Sequence, residues 1–498
     1  MIKFNKFYIT TAIDYTNSKP HLGHAYEKII ADVIARRHRI KGDDVFFLIG
    51  TDEHGQKVER AAITAGKTPQ EFVDELVKFF KELYEKLGIS YDDFIRTTEE
   101  RHIKVAKEIF KKVFDKGDIY RGTYEGLYCV SCEAFYTEKD AIDGKCPVHK
   151  KKLELIKEES YFFKLSRYQK KIIEHIANNE NFIISEQRRN EILNRLKEPL
   201  RDLSVSRCSF KWGIPLPIDE EHVIYVWFDA LLNYISAIDY PNEKFKKYWP
   251  ADVQVIGKDI SWFHAVIWPA ILLAADIELP KTIFIHGFVN IEGEKLSKTR
   301  EIIVDPFELS DKYGTDTLRY FLMREIPSGQ DGDFSEKSLI NRINSELADS
   351  LGNLLNRVLV LIEKNFDGFV PKPGEKDKLT KLTSNIVKGV DESMEKLQFH
   401  SALNDIFFLV NESNKYINEN KPWEIEDKEK LGGILYNLLE SLRFISILIY
   451  PFMPETAGKI KKQLGIEKKF SFDNLKWGAL KLGTKIKRGK VLFEKINA

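Results

Sequence analysis

The stretch Pro20-His21-Leu22-Gly23-His24 decides the fold, because it joins a strand-like segment to a helix-like one. Upstream, residues 6–13 (KFYITTAI) are rich in aromatic and β-branched side chains and predict a buried strand. Downstream, residues 25–40 carry apolar side chains at helical spacing, and Pro20 is typical of a helix start. A strand that leads through a short loop into a helix N-terminus predicts a phosphate-binding site.

The two histidines of this stretch suit the same ligand. His21 and His24 are three residues apart, so on a first helical turn both imidazoles can donate hydrogen bonds to one anion. Gly23 leaves room for a nucleotide to approach. The pattern fixes only three positions, and His-x-x-His is also half of a metal site. The stretch alone therefore leaves both interpretations open.

The composition is that of an ordinary globular protein. The chain has 498 residues, of which 43% are hydrophobic and 31% charged, with a net charge of +1. Any polyanionic partner must therefore be bound by local basic patches. The first residues are charged rather than signal-like, and the longest apolar stretch, residues 262–275, is interrupted by His264 and Pro269. We expect a soluble, cytoplasmic protein.

Polar residues follow a second predicted strand. Residues 44–50 (DVFFLIG) are apolar and lead into Thr51-Asp52-Glu53-His54-Gly55. Open α/β sheets bind their ligands beyond the carboxyl ends of strands, although a solvated loop has the same composition. Residues 56–116 then alternate helical patterns with short turns, which predicts half of a doubly wound α/β domain.

Three of the four cysteines lie close together with one histidine. Cys129-Val-Ser-Cys132 is followed, after thirteen residues, by Cys146-Pro-Val-His149. Two such pairs supply four ligands for tetrahedral Zn²⁺, and a site with all four positions filled by protein is structural. Cys208 stands alone and is interpreted as a packed thiol.

Strand and helix patterns resume after this region. We predict strands at residues 223–228, 253–256 and 282–286, and helices at residues 229–238 and 260–275. The alternation predicts that residues 117–222 interrupt a single nucleotide-binding fold. From residue 341 onwards the pattern is wholly helical and predicts a helix bundle.

A second candidate phosphate-binding stretch is Lys295-Leu296-Ser297-Lys298-Thr299, which follows a glycine-containing turn. Two lysines three residues apart can neutralise charge that develops on a polyphosphate. Alone, a solvated lysine loop is the simpler interpretation.

Together the two stretches resemble the class I aminoacyl-tRNA synthetases, whose members carry His-Ile-Gly-His and Lys-Met-Ser-Lys-Ser elements in this order. The resemblance runs along essentially the whole chain and is closest to the methionine-specific members. It rests on Gly50-Thr-Asp-Glu-His-Gly55, the cysteine cluster, Tyr225-Val-Trp-Phe-Asp-Ala230, Gly257-Lys-Asp259, Phe263-His264, Asp331-Gly-Asp-Phe-Ser335, Gly352-Asn-Leu-Leu-Asn-Arg357 and Lys421-Pro-Trp423.

The resemblance implies roles for individual residues. The implied catalytic residues are His21, His24, Lys295 and Lys298. The implied ATP-binding residues are Gly23, Glu27, Gly257, Asp259, His286, Val289 and Lys298. The implied methionine-binding residues are Ala12, Ile13, Tyr15, Asp52, Trp227, Ala230, Tyr234, Ile260 and His264. Asn353, Arg357 and Trp423 match anticodon-reading positions, and Cys129, Cys132, Cys146 and His149 match zinc ligands. Asp14 departs from the family pattern, which affects the shape of the pocket wall beside it.

The implied fold is α/β: a split Rossmann-like catalytic domain with a parallel sheet and a zinc-knuckle insertion, followed by an all-α helix bundle. The expected parts are residues 1–116 and 223–290 (the two catalytic halves), 117–222 (the insertion), 291–340 (the lysine loop and stem-contact region) and 341–498 (the anticodon-binding bundle).

The implied activity is a methionine–tRNA ligase that uses ATP with Mg²⁺, carries one structural Zn²⁺, acts on tRNA(Met) and is a monomer that does not bind membranes. Three alternatives remain. A cysteine-specific relative would hold zinc in its substrate pocket with an open position. A catalytically inactive tRNA-binding homologue is disfavoured by the four basic catalytic residues, and a nucleotidyltransferase without a tRNA step by the helix bundle.

Overall fold

The structure is a computed structural model that describes residues 5–129, 134–136, 141, 143–147, 150–291 and 304–496. For residues 124–125, 134–136 and 156–158 the backbone alone is described. The predictions for Cys132, His149, Lys295 and Lys298 lie outside these residues.

A parallel sheet forms the centre of the α/β part, as predicted. Among the described residues, seven strands belong to it. Lys6–Thr11 is paired on one side with Asp44–Asp52 and on the other with Val253–Gly257. The strands on one side of Lys6–Thr11 come from residues before 100, and those on the other side come from residues after 180, so the direction of winding reverses beside Lys6–Thr11. Such a reversal is where open α/β sheets form a ligand crevice. The other strands are Asp14–Tyr15, Asp93–Arg96, Ile283–His286 and Ile183–Ile184.

The first helix is confirmed, with slightly different ends. It runs over Leu22–Lys41, starting at Leu22 because the side chain of His21 caps it. It ends where Gly42 adopts a left-handed conformation, with φ of +94°. Other helices of the first half are Gln56–Thr64, Pro69–Lys86 and Glu100–Asp115.

The predicted strand at residues 223–228 is only partly correct. The strand is Asp219–Ile224, and a helix begins at Val226 and ends at Leu231. Side chains on all sides of this segment are buried, so its apolar run carries no periodicity that separates strand from helix. Two further helices, Asn233–Ser236 and Glu243–Tyr248, follow it.

The predicted helix at residues 260–275 is also irregular. It consists of a 3₁₀ turn at Lys258–Ile260, a π-helical turn at Phe263–Ile267 and an α-helix at Trp268–Ala274. Pro269 cannot donate a backbone hydrogen bond, and the amide of Trp268 donates to the carbonyl of Phe263. The wider π turn re-aims the side chains that precede it.

Residues 117–222 are not wholly separate from the central sheet, because Ile183–Ile184 pairs with Ile283–Phe284. The rest of this segment forms antiparallel sheets and short helices. Their bounds are Ile119–Cys129, Ala134–Tyr136, Glu154–Phe163, Leu203–Ser204, Ser206–Arg207 and Pro215–Leu216 for strands, and Leu165–Tyr168, Gln169–Asn178 and Glu186–Arg195 for helices.

The chain beyond residue 304 is mainly helical, as predicted. Its helices are Pro306–Tyr313, Thr315–Glu325, Glu336–Arg342, Ile343–Gly352, Asn353–Phe366, Lys378–Glu395, Phe399–Asn420, Pro422–Glu424, Lys428–Ile449, Pro454–Gln463 and Phe472–Asn474. A small parallel pair, Val289–Ile291 with Gly332–Phe334, precedes the bundle.

Helix Lys428–Ile449 is long and apolar enough to cross a membrane by length and composition, and its apolar window is entirely buried inside the protein. Complete burial is the pattern of the central helix of a bundle.

One buried arginine joins the first helix to the bundle. The guanidinium of Arg319 lies 2.6 Å from a carboxylate oxygen of Asp32 and donates to the carbonyls of Pro451 and Phe452. The N-terminus of the first helix therefore lies at the ligand crevice of the sheet, and the middle of this helix packs against the helical region.

Candidate active site

The two histidines of the motif lie together at the N-terminus of the first helix. Their ring centroids are 3.9 Å apart. Nδ1 of His21 accepts from the amide of Gly23 at 3.1 Å, and Nδ1 of His24 accepts from the amide of His21 at 3.0 Å. Because a neutral imidazole that accepts at Nδ1 carries its proton at Nε2, each ring presents one N–H donor. The structure thus brings together two donors suited to one anion.

Both rings present these donors without being charged. Burial lowers the pKa of His21 below its ordinary value. Burial, together with the charges of His21 and Lys28, lowers the pKa of His24 much further. At neutral pH the pair therefore binds an anion through neutral N–H groups and the helix N-terminus.

Glycine is required at position 23 for a local reason that sequence reasoning missed. A Cβ at this position would lie 2.9 Å from Cε1 of His21 and 3.1 Å from its Nδ1. The His21 ring occupies the space above Gly23, so glycine is required for the cap as well as for the approach of a ligand.

The carboxyl ends of five neighbouring strands lie at the edge of the sheet beside the loop that leads to this helix. Ala12 follows Lys6–Thr11 and donates its amide to the carbonyl of Val255 at 3.1 Å. Tyr15 is paired with Asp52, and Gly257 with His286. The predicted methionine and nucleotide residues thus come from chain segments that the sheet brings to one edge.

The predicted nucleotide residues are in mutual contact. Nε2 of His286 lies 3.2 Å from a carboxylate oxygen of Glu27, and its Nδ1 lies 2.8 Å from the carbonyl of Gly287. A Cβ on Gly257 would lie 2.7 Å from Oδ1 of Asp259 and 3.7 Å from Cε1 of His286. Val289 begins the short strand that follows.

The pKa values of the two carboxyl groups in this region, those of Glu27 and Asp259, are shifted in opposite directions. Burial alone would raise the pKa of Glu27, but the charge of Lys28 and the hydrogen bond from His286 lower it, so Glu27 is ionised. Burial raises the pKa of Asp259. An ionised carboxylate beside imidazole and a glycine gap can accept hydrogen bonds from ribose hydroxyls.

Most of the predicted methionine residues lie in or against one hydrophobic core cluster that is rich in aromatic side chains. Trp227 stacks on Phe263 with ring centroids 3.7 Å apart and planes 10° from parallel. The hydroxyl of Tyr234 lies 2.7 Å from Nε2 of His264. Ala230 is on the same helix as Trp227, and Ile260 ends the 3₁₀ turn.

His264 has partners at both nitrogens. Its Nδ1 lies 3.1 Å from the carbonyl of Ile260, which only accepts, so Nδ1 carries the proton. Nε2 then accepts from the Tyr234 hydroxyl. Burial lowers the pKa of His264 to about 4, so the ring is neutral at neutral pH. A neutral aromatic surface suits an apolar, polarisable side chain.

On the opposite wall, Ile13 and Gly50 are in tight contact. A Cβ on Gly50 would lie 2.2 Å from the carbonyl oxygen of Ile95 and 3.0 Å from a side-chain carbon of Ile13. Lys57 lies over the ring of Tyr15, 5.4 Å from its centroid.

Two buried polar clusters border the site, and sequence reasoning missed both. One surrounds Lys28, whose side chain is fully buried. The other connects His54 and His102 through Asp229. Lysine in a helix is ordinarily exposed. Every residue from Ala25 to Ala35 is buried, so this part of the helix has no solvent-facing stripe, and no local sequence pattern marks Lys28 as buried.

The predicted anticodon residues lie on the helix bundle. Arg357 donates to the side chain of Asn418 at 2.7 Å, which connects helix Asn353–Phe366 with helix Phe399–Asn420. Trp423 follows the second of these helices and is 55% exposed. Asn353 and Arg357 are one helical turn apart. An exposed indole can stack on bases, and amide and guanidinium groups can bond base edges.

Two predicted zinc ligands are described. Cys129 and Cys146 are both buried and share a small cluster with Leu153. The carbonyl of Cys146 accepts from the amide of Lys150, and its amide donates to the carbonyl of Lys151, each at 2.8 Å. Two buried thiols in one small hairpin region fit a structural metal site. Cys208 lies elsewhere, with its Sγ 3.8 Å from the carbonyl of Glu159.

Known protein families match most of this chain. The family model for tRNA synthetases class I (M) matches residues 7–155 and 148–359. The model for an anticodon-binding domain of tRNA ligase matches residues 377–490.

The chain is 51% identical to the methionine–tRNA ligase of Caldanaerobacter subterraneus over 99% of this chain and 79% of that protein. It is 46% identical to the methionine–tRNA ligase of Clostridium acetobutylicum over its whole length and 79% of that protein. Its structure superposes on Mycobacterium tuberculosis methionyl-tRNA synthetase in complex with methionyl-adenylate with a TM-score of 0.95, 41% identity and coverage of 98% of this chain and 100% of that one. The resemblance inferred from the motifs is thereby confirmed: the chain belongs to the methionine–tRNA ligases of the class I tRNA synthetase family.

Proposed function

We propose that the chain joins methionine to tRNA(Met) in two steps, at the crevice beside the His21–His24 pair. The observation that carries the assignment of the site is the meeting of three features at one sheet edge. These are two neutral N–H donors at a helix N-terminus, a carboxylate–imidazole pair at Glu27 and His286, and an aromatic wall at Trp227. They suit phosphate, ribose and thioether groups respectively.

In the first step the methionine carboxylate attacks the α-phosphorus of ATP. A carboxylate oxygen–phosphorus bond forms, the bond to the β-phosphate bridging oxygen breaks, and pyrophosphate leaves. His21 and His24 donate to the phosphate oxygens that gain charge, and Lys295 and Lys298 neutralise the leaving pyrophosphate. Mg²⁺ bound with ATP supplies further neutralisation.

Methionine is held between the two walls of the aromatic region. Asp52 accepts from the substrate ammonium, and the thioether packs against aromatic faces that include Trp227 and Tyr234. Both nitrogens of His264 already have partners, so selection rests on shape and sulfur–aromatic contact rather than on a hydrogen bond from this ring.

In the second step the ribose 2′-hydroxyl of the terminal tRNA adenosine attacks the acyl carbon of methionyl-adenylate. The ester forms, AMP leaves, and the hydroxyl proton is lost to a phosphate oxygen or solvent. The bundle positions the tRNA by stacking anticodon bases on Trp423 and bonding their edges through Asn353 and Arg357.

Zinc has a structural role in this proposal. Cys129, Cys132, Cys146 and His149 would hold one Zn²⁺ and close the small hairpin region in which both described thiols are buried. We infer that the protein works in the cytoplasm as a monomer, with residues 1–116 and 223–290 for catalysis and residues 341–498 for the tRNA.

The test is ATP–pyrophosphate exchange with a panel of amino acids, followed by charging of tRNA(Met). We expect exchange with methionine and loss of exchange in Lys298→Ala. Exchange with cysteine in place of methionine would identify the cysteine-specific alternative. Exchange without tRNA charging would identify a nucleotidyltransferase, and the absence of exchange would indicate an inactive homologue.

A further inference from the structure

The ammonium of Lys28 is fully buried next to the catalytic histidines. Its Nζ lies 2.9 Å from the carbonyl oxygen of Ala12, 2.8 Å from Oδ1 of Asp14 and 2.9 Å from Oε1 of Glu27. An ammonium has three N–H donors, and these three acceptors use all of them. Its position is therefore determined by three oxygens from different parts of the site.

Each of the three oxygens belongs to a functional segment. Ala12 ends the central strand on the methionine side, and Glu27 contacts His286 on the nucleotide side. Asp14 stands between them, with Oδ1 4.0 Å from Nε2 of His24 and Oδ2 accepting a hydrogen bond from the hydroxyl of Tyr84. Lys28 thus connects the two substrate sides through direct contacts.

The cluster is not explained by stability alone. Burying an ion pair costs desolvation, and apolar residues of similar volume often stabilise a core equally well. Although burial by itself would lower the pKa of Lys28, the charges of Asp14 and Glu27 raise it, so the ammonium stays charged. Lys28 and Asp14 form an ion pair at 2.8 Å in which both side chains are buried.

We propose that Lys28 is a positioning residue for adenylate formation, which fixes the carbonyl of Ala12 relative to the carboxylate of Glu27. This proposal rests on the proposed function, because it assigns methionine and ATP to those two sides. Without the ammonium, Glu27 and Asp14 repel each other, and the carbonyl of Ala12 keeps only the hydrogen bond from the hydroxyl of Thr11 at 3.0 Å and loses the one from Lys28. Both substrates then bind in a less well defined geometry.

The test compares Lys28→Met with two further variants in methionine-dependent pyrophosphate exchange. Lys28→Met should raise the KM for methionine and the KM for ATP, each by about tenfold, which is the usual loss for a buried charged hydrogen bond. The double variant Asp14→Asn, Lys28→Met removes both charges of the pair. We expect it to recover thermal stability while both KM values stay high, because the methionine at position 28 has no N–H group to replace the Lys28 donors to Ala12 and Glu27.

Asp32→Asn is the matched control. Asp32 lies one turn further along the same helix and forms a fully buried ion pair with Arg319. Its replacement should lower the melting temperature with both KM values within about twofold of wild type.

Unchanged KM values in a folded Lys28→Met protein would overturn the proposal. Recovery of both KM values in the double variant would do the same, since Lys28 would then only balance charge. If Lys28→Met does not fold, the KM values of the double variant decide whether Lys28 positions the substrates or only balances charge. Absence of methionine-dependent exchange in the wild-type protein would instead refute the proposed function.

Discussion

Nδ1 of His54 lies 2.7 Å from Oδ2 of Asp229, although 175 positions separate the two residues in the chain. The other oxygen of Asp229 lies 2.6 Å from Nε2 of His102, whose Nδ1 is 2.9 Å from the hydroxyl of Ser236. His54 lies two residues after Asp52, which ends strand Asp44–Asp52, and Asp229 lies on the helix that carries Trp227. One buried carboxylate therefore joins the proposed ammonium-binding and thioether-binding segments.

Replacing Asp229 by Asn should weaken both stability and methionine binding. Burial by itself would raise the pKa of Asp229, but the charge of His54 and hydrogen bonds from both histidines lower it, so the carboxylate is ionised. Asparagine cannot accept from both imidazoles, and breaking a buried pair costs about 3–5 kcal/mol. We expect a lower free energy of unfolding in urea and a KM for methionine raised more than the KM for ATP.

Asp118→Asn is the control for this variant. Asp118 is equally buried and accepts from Arg167 and Tyr168 at 2.6 Å each, in the insertion. It should lose stability while the KM for methionine remains that of the wild type. Equal changes in both KM values for Asp229→Asn would refute its specific effect on the methionine side.

Those parts of the fold could be predicted from the sequence in which apolar residues recur with a clear period or a residue such as proline marks a clear boundary. Lys6–Thr11 and Leu22–Lys41 were predicted because a β-branched run, a proline and a helical repeat follow one another. The helix that begins at Val226 was not predicted. Its residues are buried on all sides, so the sequence lacks the contrast between apolar and polar positions on which a periodicity depends.

The contact between His21 and His24 was predictable, because residues three apart lie together on a first helical turn, whereas their catalytic roles came from the family resemblance. The contacts of Lys28 and His102 depend on partners elsewhere in the chain. Lys28 meets Asp14 across a loop, and His102 meets Asp229 across 127 positions. Neither pairing leaves a local pattern in the chain.

Gly23→Ala should impair catalysis with little effect on stability. The added methyl group would lie 2.9 Å from Cε1 of His21, so this ring must rotate and lose its hydrogen bond from the amide of Gly23. The backbone has no left-handed conformation to lose here. We expect pyrophosphate exchange to fall by about tenfold or more, because one donor to the phosphate is misplaced.

Gly458→Ala is the matched control, since no atom lies within 4 Å of a Cβ at that helical position. It should raise the free energy of unfolding by about 0.5–1 kcal/mol and leave exchange unchanged. Wild-type exchange in Gly23→Ala would show that the His21 ring is not held by this cap.

The stability of the protein should depend on pH through His264. Its pKa is about 4 in the folded protein against an ordinary value of 6.5, because burial disfavours the charged ring. As the pH falls, His264 therefore takes up a proton in the unfolded chain before it does so in the folded protein. The contribution of the neutral ring to the free energy of unfolding is complete above pH 6.5 and decreases as the pH falls to about 4. The loss should reach up to about 3 kcal/mol.

Urea unfolding of the wild type and of His264→Gln between pH 7 and pH 4 measures this contribution. We expect the difference in unfolding free energy between the two proteins to narrow as the pH falls. A constant difference across this range would mean that His264 keeps its ordinary pKa.

Trp423→Ala should affect tRNA charging alone. The indole is 55% exposed on the bundle, and stacking of one base on an aromatic side chain is worth about 1–3 kcal/mol. We expect the KM for tRNA(Met) to rise by about tenfold or more while methionine-dependent pyrophosphate exchange is unaltered. Phe408→Ala, which removes another exposed aromatic ring from the bundle, should leave both activities unchanged.

Cys146→Ser should remove zinc and destabilise the insertion. The thiol of Cys146 is buried with that of Cys129, and a thiolate binds Zn²⁺ far better than a hydroxyl. We expect elemental analysis to find about one zinc per wild-type chain and much less in the variant, with a lower melting temperature that a chelator reproduces in the wild type. Cys208→Ser should retain the metal, because Cys208 contacts the carbonyl of Glu159 rather than this cluster. A zinc content in Cys146→Ser equal to that of the wild type would exclude Cys146 as a ligand.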